Sequence, residues 1–268
     1  MKKNFLTLSA FCVLLSLSSC DSKSNSAQNN INAEQTTANG AFAVETMTVK
    51  DSTESSSVRF EYDIDFPTQG PEALTAVVKS EIFKALGDST TTDYTAEQLQ
   101  HVGKKYVTES AAEIKDLGLE EERTIYEVAG KIKLEDNNDK YLTYHVSDYN
   151  YAGGAHGMPR NFYTTINKTT NKVMDWDAIF PEDNRQDLEA IVMAAIVEQY
   201  YKGQTEQWNE IFAFNLPAQA PAFSENGLIF TYYPYEIDCY AAGMPKCTIP
   251  YNEVKTLMTE EAQALINE

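Results

Sequence analysis

Asp175 and Asp177 flank Trp176. Two carboxylates beside an indole would suit acid/base work on a sugar stacked against the ring. Read as a strand, the i, i+2 spacing puts both carboxylates on one face. The same residues also read as a strand end with Trp176 in the core, and no third catalytic group accompanies them. A second constellation is Gly153-Gly154-Ala155-His156-Gly157. Its glycines permit positive φ and close backbone approach, so the loop could cradle a ligand with His156 as a donor, or could equally serve a tight crossover. His101 falls on the exposed face of a helix, and His145 on a strand opposite the core face. No histidine pair has zinc spacing, and G-x-S-x-G, phosphate-loop and H-E-x-x-H patterns are absent. Asp136-Asn137-Asn138-Asp139 has the acidic density of a calcium loop without its glycine and distal glutamate, which leaves a solvated turn. No catalytic residue, metal or cofactor is assigned.

Aromatic residues are the other chemical excess, with 16 tyrosines. Tyr149 and Tyr151 precede the glycine loop, and Tyr232, Tyr233, Tyr235 and Tyr240 cluster before Cys247. Tyrosine joins a rigid apolar face to a polar tip, which suits protein and glycan contacts as well as sheet packing.

The elements that position these residues read as α+β, mostly antiparallel. Val58, Phe60, Tyr62, Ile64 and Phe66 alternate with polar residues as a half-buried strand. After Gly70-Pro71, Leu74, Val77, Val78, Ile82 and Leu86 recur at helical spacing. A second helix opens at Thr95, with Gln98 completing a capping box, and stops at Gly118. Strands are expected over 123–134 and 140–151, then 161–166 and 173–180. Leu188 to Tyr200 is a third helix, 222–233 and the segment between the cysteines supply further strands, and 251–266 closes helical. Two strand–helix–strand units thus meet near Gly153, an N-terminal domain over 41–151 and a C-terminal one over 152–268.

The first forty residues are of another kind. Lys2 and Lys3 precede an apolar run from Phe5 to Leu17, too short for a comfortable membrane span but of signal-peptide size. It ends in Leu17-Ser18-Ser19-Cys20, a lipobox pattern. Cleavage of residues 1–19 and acylation of Cys20 are expected, leaving the chain anchored to a membrane by lipid alone, on the periplasmic face or at the cell surface. Residues 20–40 are Ser, Asn, Gln, Thr and Ala with almost no large apolar side chain, a disordered tether. Such a compartment is oxidising. Cys239 and Cys247, placed symmetrically about Gly243, are expected to form a disulfide across a hairpin.

The chain carries 21 basic and 40 acidic side chains, a net charge of −19. Loss of residues 1–19 removes two lysines and no acid, taking −19 to −21. That balance argues against nucleic acid and anionic lipid surfaces, and favours a basic partner or simple solubility.

The glycine loop, from Tyr151 to Gly157, has a second distinctive stretch downstream: Gly227-Leu228-Ile229-Phe230, Tyr232-Tyr233-Pro234-Tyr235-Glu236-Ile237, Tyr240-Ala241-Ala242-Gly243 and Ile249-Pro250-Tyr251. Together these segments resemble a bacterial envelope domain family best known as the extracellular part of a lysozyme-sensing anti-sigma factor. A similar domain pair precedes the catalytic domain of certain peptidoglycan deacetylases. The resemblance covers roughly residues 151–258, and the region before it resembles the companion domain. It implies binding of a lysozyme-like protein, or alternatively of cell-wall glycan, through Tyr149, Tyr151, Gly153, Gly154, His156, Tyr233, Tyr235, Glu236 and Tyr240. Neither a sigma-binding segment nor a deacetylase domain with its metal ligands is apparent. The expectation is therefore a non-catalytic, envelope-anchored binding protein, with an enzyme on envelope polysaccharide as the lesser alternative.

Overall fold

The half-buried alternation over Val58–Phe66 becomes the second strand of a six-stranded sheet. The computed structural model describes residues 41–120, 124–202 and 214–266, so the signal peptide, Cys20 and the tether expected over 1–40 lie outside the described residues. The sheet runs in chain order: β1 (Ala43–Ser52), β2 (Val58–Gln69), β3 (Tyr126–Asn137), β4 (Tyr141–Ala152), β5 (Met158–Asn167) and β6 (Lys172–Val173). Only β2 and β3 pair in parallel. A parallel pair needs a long crossover, and α1 (Glu72–Ala85) and α2 (Ala96–Asp116) supply it. α2 starts where the capping box places it, the Thr95 side chain accepting from the Gln98 N–H at 3.2 Å. Gly103 lets α2 lie close to the sheet, since a Cβ there would meet Phe60 at 3.0 Å and Val49 at 3.2 Å.

Val58, Phe60, Tyr62, Ile64 and Phe66 are all buried beneath these helices with Leu74, Val78, Ile82 and Leu99. A second apolar core forms around β7 (Ala222–Ser224), β8 (Gly227–Thr231) and β9 (Lys246–Ile249), with α4 (Arg185–Gln199) packed against it. The described residues form one compact unit. The expected division at 151/152 falls within the first sheet, because β5 and β6 follow it and complete that sheet. The two layers join through buried threonines. Thr143 donates to the Phe223 carbonyl at 2.8 Å, the Phe223 N–H donates to Thr165 at 2.9 Å, and the two hydroxyls lie 2.8 Å apart. With the Thr143 proton committed to the carbonyl, Thr165 must donate to Thr143, so every group is satisfied. Thr165→Val keeps the shape but orphans the Phe223 N–H. It is expected to cost about 1–3 kcal/mol, read as a lower urea midpoint at unchanged slope; an unchanged midpoint would mean that the N–H finds another acceptor.

Two expectations need correction. The run 173–180 is not a strand beyond Val173: Asp175 accepts from the Ala178 N–H at 2.9 Å and caps a short helix, α3 (Trp176–Ile179). The closing segment is also interrupted, with α5 (Tyr251–Val254) and a 3-10 turn separated from α6 (Glu260–Leu265) by extended Met258 and Thr259.

Candidate functional site

The loop joining β4 to β5 carries Gly153 and Gly154 at φ +83° and +87°, conformations that glycine adopts without strain. Tyr151 donates to the Gly154 carbonyl at 3.0 Å and fixes the first turn. Gly157 serves through its missing side chain. A Cβ there would lie 2.5 Å from both the Asn150 carbonyl and the Tyr149 ring, so only glycine lets the Tyr149 ring pass. The Tyr149 hydroxyl accepts from the Gly157 N–H at 3.0 Å. Two tyrosines thus fold the loop back onto β4.

The downstream stretch builds the opposing wall. After β8, the Tyr232 N–H donates to the Pro245 carbonyl at 2.8 Å, closing the base of a long irregular connection to β9. Glu236 holds its first turn, accepting from the Ala218 N–H at 2.9 Å and the Tyr233 N–H at 2.5 Å. Its carboxylate is therefore a scaffold for the turn. Tyr233 is half-buried edge-on to Phe162, and burial raises its phenol pKa. Tyr235 takes φ +73°, a left-handed conformation rare for a side chain of its size. From the end of α4, Tyr200 donates to the Ala242 carbonyl at 2.6 Å and Tyr201 to Asp238 at 2.8 Å, clamping the second half of the connection.

Between these walls lies His156. Its ring stacks on Tyr240, with centroids 3.8 Å apart and planes 23° apart, and the Tyr240 hydroxyl donates to the Gly157 carbonyl at 2.9 Å. His156 Nδ1 lies 3.1 Å from the Gly157 carbonyl, and Nε2 lies 3.2 Å from the Tyr235 hydroxyl. A carbonyl only accepts, so Nδ1 carries the proton in the neutral ring and Nε2 accepts from Tyr235. His156 and Tyr235 are exposed, as is Tyr149. The two segments singled out in the sequence therefore meet in one aromatic surface, with Tyr233 and Glu236 behind it. Tyr200 and Tyr201 were not identified as its supports, because each reads as one more aromatic at a helix end.

The other candidates lie apart or change role. The disulfide expected between Cys239 and Cys247 is not formed. The connection is not a hairpin of facing strands: Cys247 lies opposite Phe230 in the β8–β9 register, while Cys239 precedes a 3-10 turn over Tyr240–Ala242. Both thiols are free, Cys239 exposed and Cys247 buried, and burial pushes the Cys247 thiol up to about 12. Asp175 and Asp177 do not share a strand face. Asp175 is the helix cap, and Asp177 is paired with Arg185, whose guanidinium lies over Trp176 at 5.5 Å. His145 stacks on Tyr163 at 4.3 Å with Nε2 2.6 Å from Asn161 Oδ1, and His101 is exposed on α2. Among the described residues no group of three or more His, Cys, Asp or Glu could hold a metal ion, and no helix is long and apolar enough to cross a membrane.

One polar constellation was not visible in the sequence. Tyr62, Gly130, Asp148 and Arg160 occupy one register row across β2, β3, β4 and β5. A Cβ at Gly130 would sit 2.3 Å from the Asp148 Cβ, so the glycine leaves the gap that the Tyr62 hydroxyl crosses to donate to Asp148 at 2.9 Å. Arg160 grips the same carboxylate at 2.9 Å and 2.5 Å and donates to the Ala85 carbonyl at 2.8 Å.

Residues 16–159 match the family model described as Deacetylase PdaC, and residues 177–252 match that described as Protein of unknown function (DUF3298). Two solved structures share the fold. A member of the DUF3298 family from Bacteroides fragilis has 16% identity and a TM-score of 0.73, covering 83% of this chain and 95% of its own. A DUF3298 family protein from Pseudomonas aeruginosa has 16% identity and a TM-score of 0.60, covering 82% of this chain and 96% of its own. No curated protein matches the chain.

Proposed function

We propose that this chain, which belongs to the Deacetylase PdaC family, acts as a non-catalytic, lipid-anchored binding protein of the cell envelope whose partner is a basic, lysozyme-like protein. The observation that carries the reading is the convergence of two segments 79 residues apart on one exposed aromatic surface, His156 with Tyr235 and Tyr240. Rigid tyrosines give large contact area at small entropic cost. Both His156 nitrogens have protein partners, which hold the imidazole in a fixed orientation at the surface. The net charge of −19 supplies attraction to a basic partner. Cys20 supplies the anchor, and the partner meets the protein outside the cytoplasm.

A second reading rests on the same rings: exposed tyrosine and imidazole faces also suit stacking on a peptidoglycan sugar. Salt separates the two. Association of the purified chain with a basic lysozyme should slow by about tenfold or more between roughly 0.05 and 0.5 M salt, as the screening length shortens. A charge-matched basic protein of other shape should bind far more weakly. Equal binding of both proteins would reduce the attraction to charge alone. Failure of lysozyme together with salt-independent retention on insoluble cell wall would favour the glycan.

A further inference from the structure

A cleft of about 640 Å³ runs between the first sheet and the second. Ile229 and Thr248, cross-strand partners on β8 and β9, line one wall, and Tyr141 and Tyr163 from β4 and β5 line the other. The volume falls in the range of small-ligand pockets. The cleft shares no residue with the aromatic surface, whose Tyr149 and Tyr151 lie toward the opposite end of β4 from Tyr141.

Both signs of charge line the cleft, and one group of each sign has no ion-pair partner. Lys246 is exposed on β9, and among the described residues its ammonium reaches only Tyr163, whose hydroxyl lies 3.5 Å away. Glu225 is exposed at the turn between β7 and β8 and forms no hydrogen bond or ion pair among the described residues. The other two carboxylates of the lining are engaged: Asp136 accepts from the Tyr141 hydroxyl at 2.8 Å, and Glu135 lies 3.9 Å from Nδ1 of His145.

The second sheet keeps the free ammonium and the free carboxylate apart. Lys246 stands opposite Thr231 at one end of β8, and Glu225 follows the Ser224–Gly227 pair at the other. The four strand steps from Gly227 to Thr231 span roughly 13 Å, at about 3.3 Å per residue. A ligand with one charge would leave one of these groups unmatched. The complement is a zwitterion whose two charges stand about 13 Å apart, which is the reach of an extended chain of about four residues.

We propose that this cleft binds a short zwitterionic peptide, its terminal carboxylate at Lys246, its terminal ammonium at Glu225 and its backbone laid along Ile229 and Thr248. Calorimetric titration of the full chain with tetraalanine, N-acetyl-tetraalanine and tetraalanine amide tests it. Tetraalanine is expected to saturate the site. Blocking either terminus should weaken binding about tenfold, as loss of a charge-assisted contact does. Dialanine, too short to reach both groups, should bind no better than the blocked forms.

Two variants at exposed positions assign the ends, each with an unchanged Tm. Lys246→Met should bind tetraalanine and its amide equally while still preferring tetraalanine to the acetylated peptide. Glu225→Gln should lose the opposite preference and keep the first. A general disturbance of the cleft would weaken all three peptides alike. Absence of tetraalanine binding would overturn the proposal. So would blocked peptides that bind as tightly as the free one, or variants that keep both preferences of the unaltered chain.

Discussion

Arg160→Met is expected to lower the stability of the chain by about 3 kcal/mol, near the low end for breaking a buried pair because Arg160 itself stays partly open to water. The Asp148 side chain is 0% exposed and its Arg160 partner 37%. Without the guanidinium the carboxylate retains one donor, the Tyr62 hydroxyl, whose own ionisation is pushed above its ordinary range first by burial and then by Asp148. One neutral hydrogen bond does not compensate a buried charge. The double variant Asp148→Asn with Arg160→Met removes the charge and keeps an acceptor for Tyr62, so it should recover a large part of the loss. Urea unfolding of the four proteins forms a double-mutant cycle. A single-variant loss of no more than about 0.5 kcal/mol, the scale of an ordinary surface change, would mean that the carboxylate reaches water or another donor.

That row also shows where sequence reasoning ends. The alternation from Val58 to Phe66 and the Thr95–Gln98 cap are local signals, and each element forms where its pattern lies. The meeting of Tyr62 with Asp148 is not local. It depends on the parallel register of β2 with β3 and on Gly130 in the intervening strand, and the only hint is a glycine inside an otherwise good strand pattern. β1 gives almost no signal, since as an edge strand it fully buries only Val49. Asp175 misled in the opposite direction: the apolar run after it looks extended, but its side chain offers an acceptor to the Ala178 N–H and starts a helical turn. The cysteines misled because symmetry about Gly243 is a property of the chain, whereas pairing follows register, and register sets Phe230 opposite Cys247. For the aromatic surface the motifs singled out its two halves, and the contact between them came from the clamps at Tyr149, Tyr200 and Tyr201, which carry no motif of their own.

Tyr235→Gly should separate stability from binding. Tyr235 holds φ +73° while its side chain is 54% exposed, so core packing does not repay the strain. A left-handed conformation costs an L residue about 1–2 kcal/mol, and glycine adopts it freely while losing more chain entropy on folding. The net expectation is a protein unchanged in stability or more stable by up to about 1 kcal/mol. Strain kept at an exposed side chain points to selection for what that side chain touches. The proposed contact with a lysozyme-like partner therefore predicts an affinity about tenfold lower or more, roughly 1.4 kcal/mol, in the same variant. Tyr240→Phe is the complementary change. It keeps the ring stacked on His156 but removes the hydroxyl that donates to the Gly157 carbonyl, so it should loosen the loop and weaken binding less than Tyr235→Gly. Thermal unfolding and lysozyme titration on the same samples give both readings. Stability and affinity falling together in Tyr235→Gly would make Tyr235 a packing residue, and unchanged affinity at unchanged stability would move the contact away from this surface.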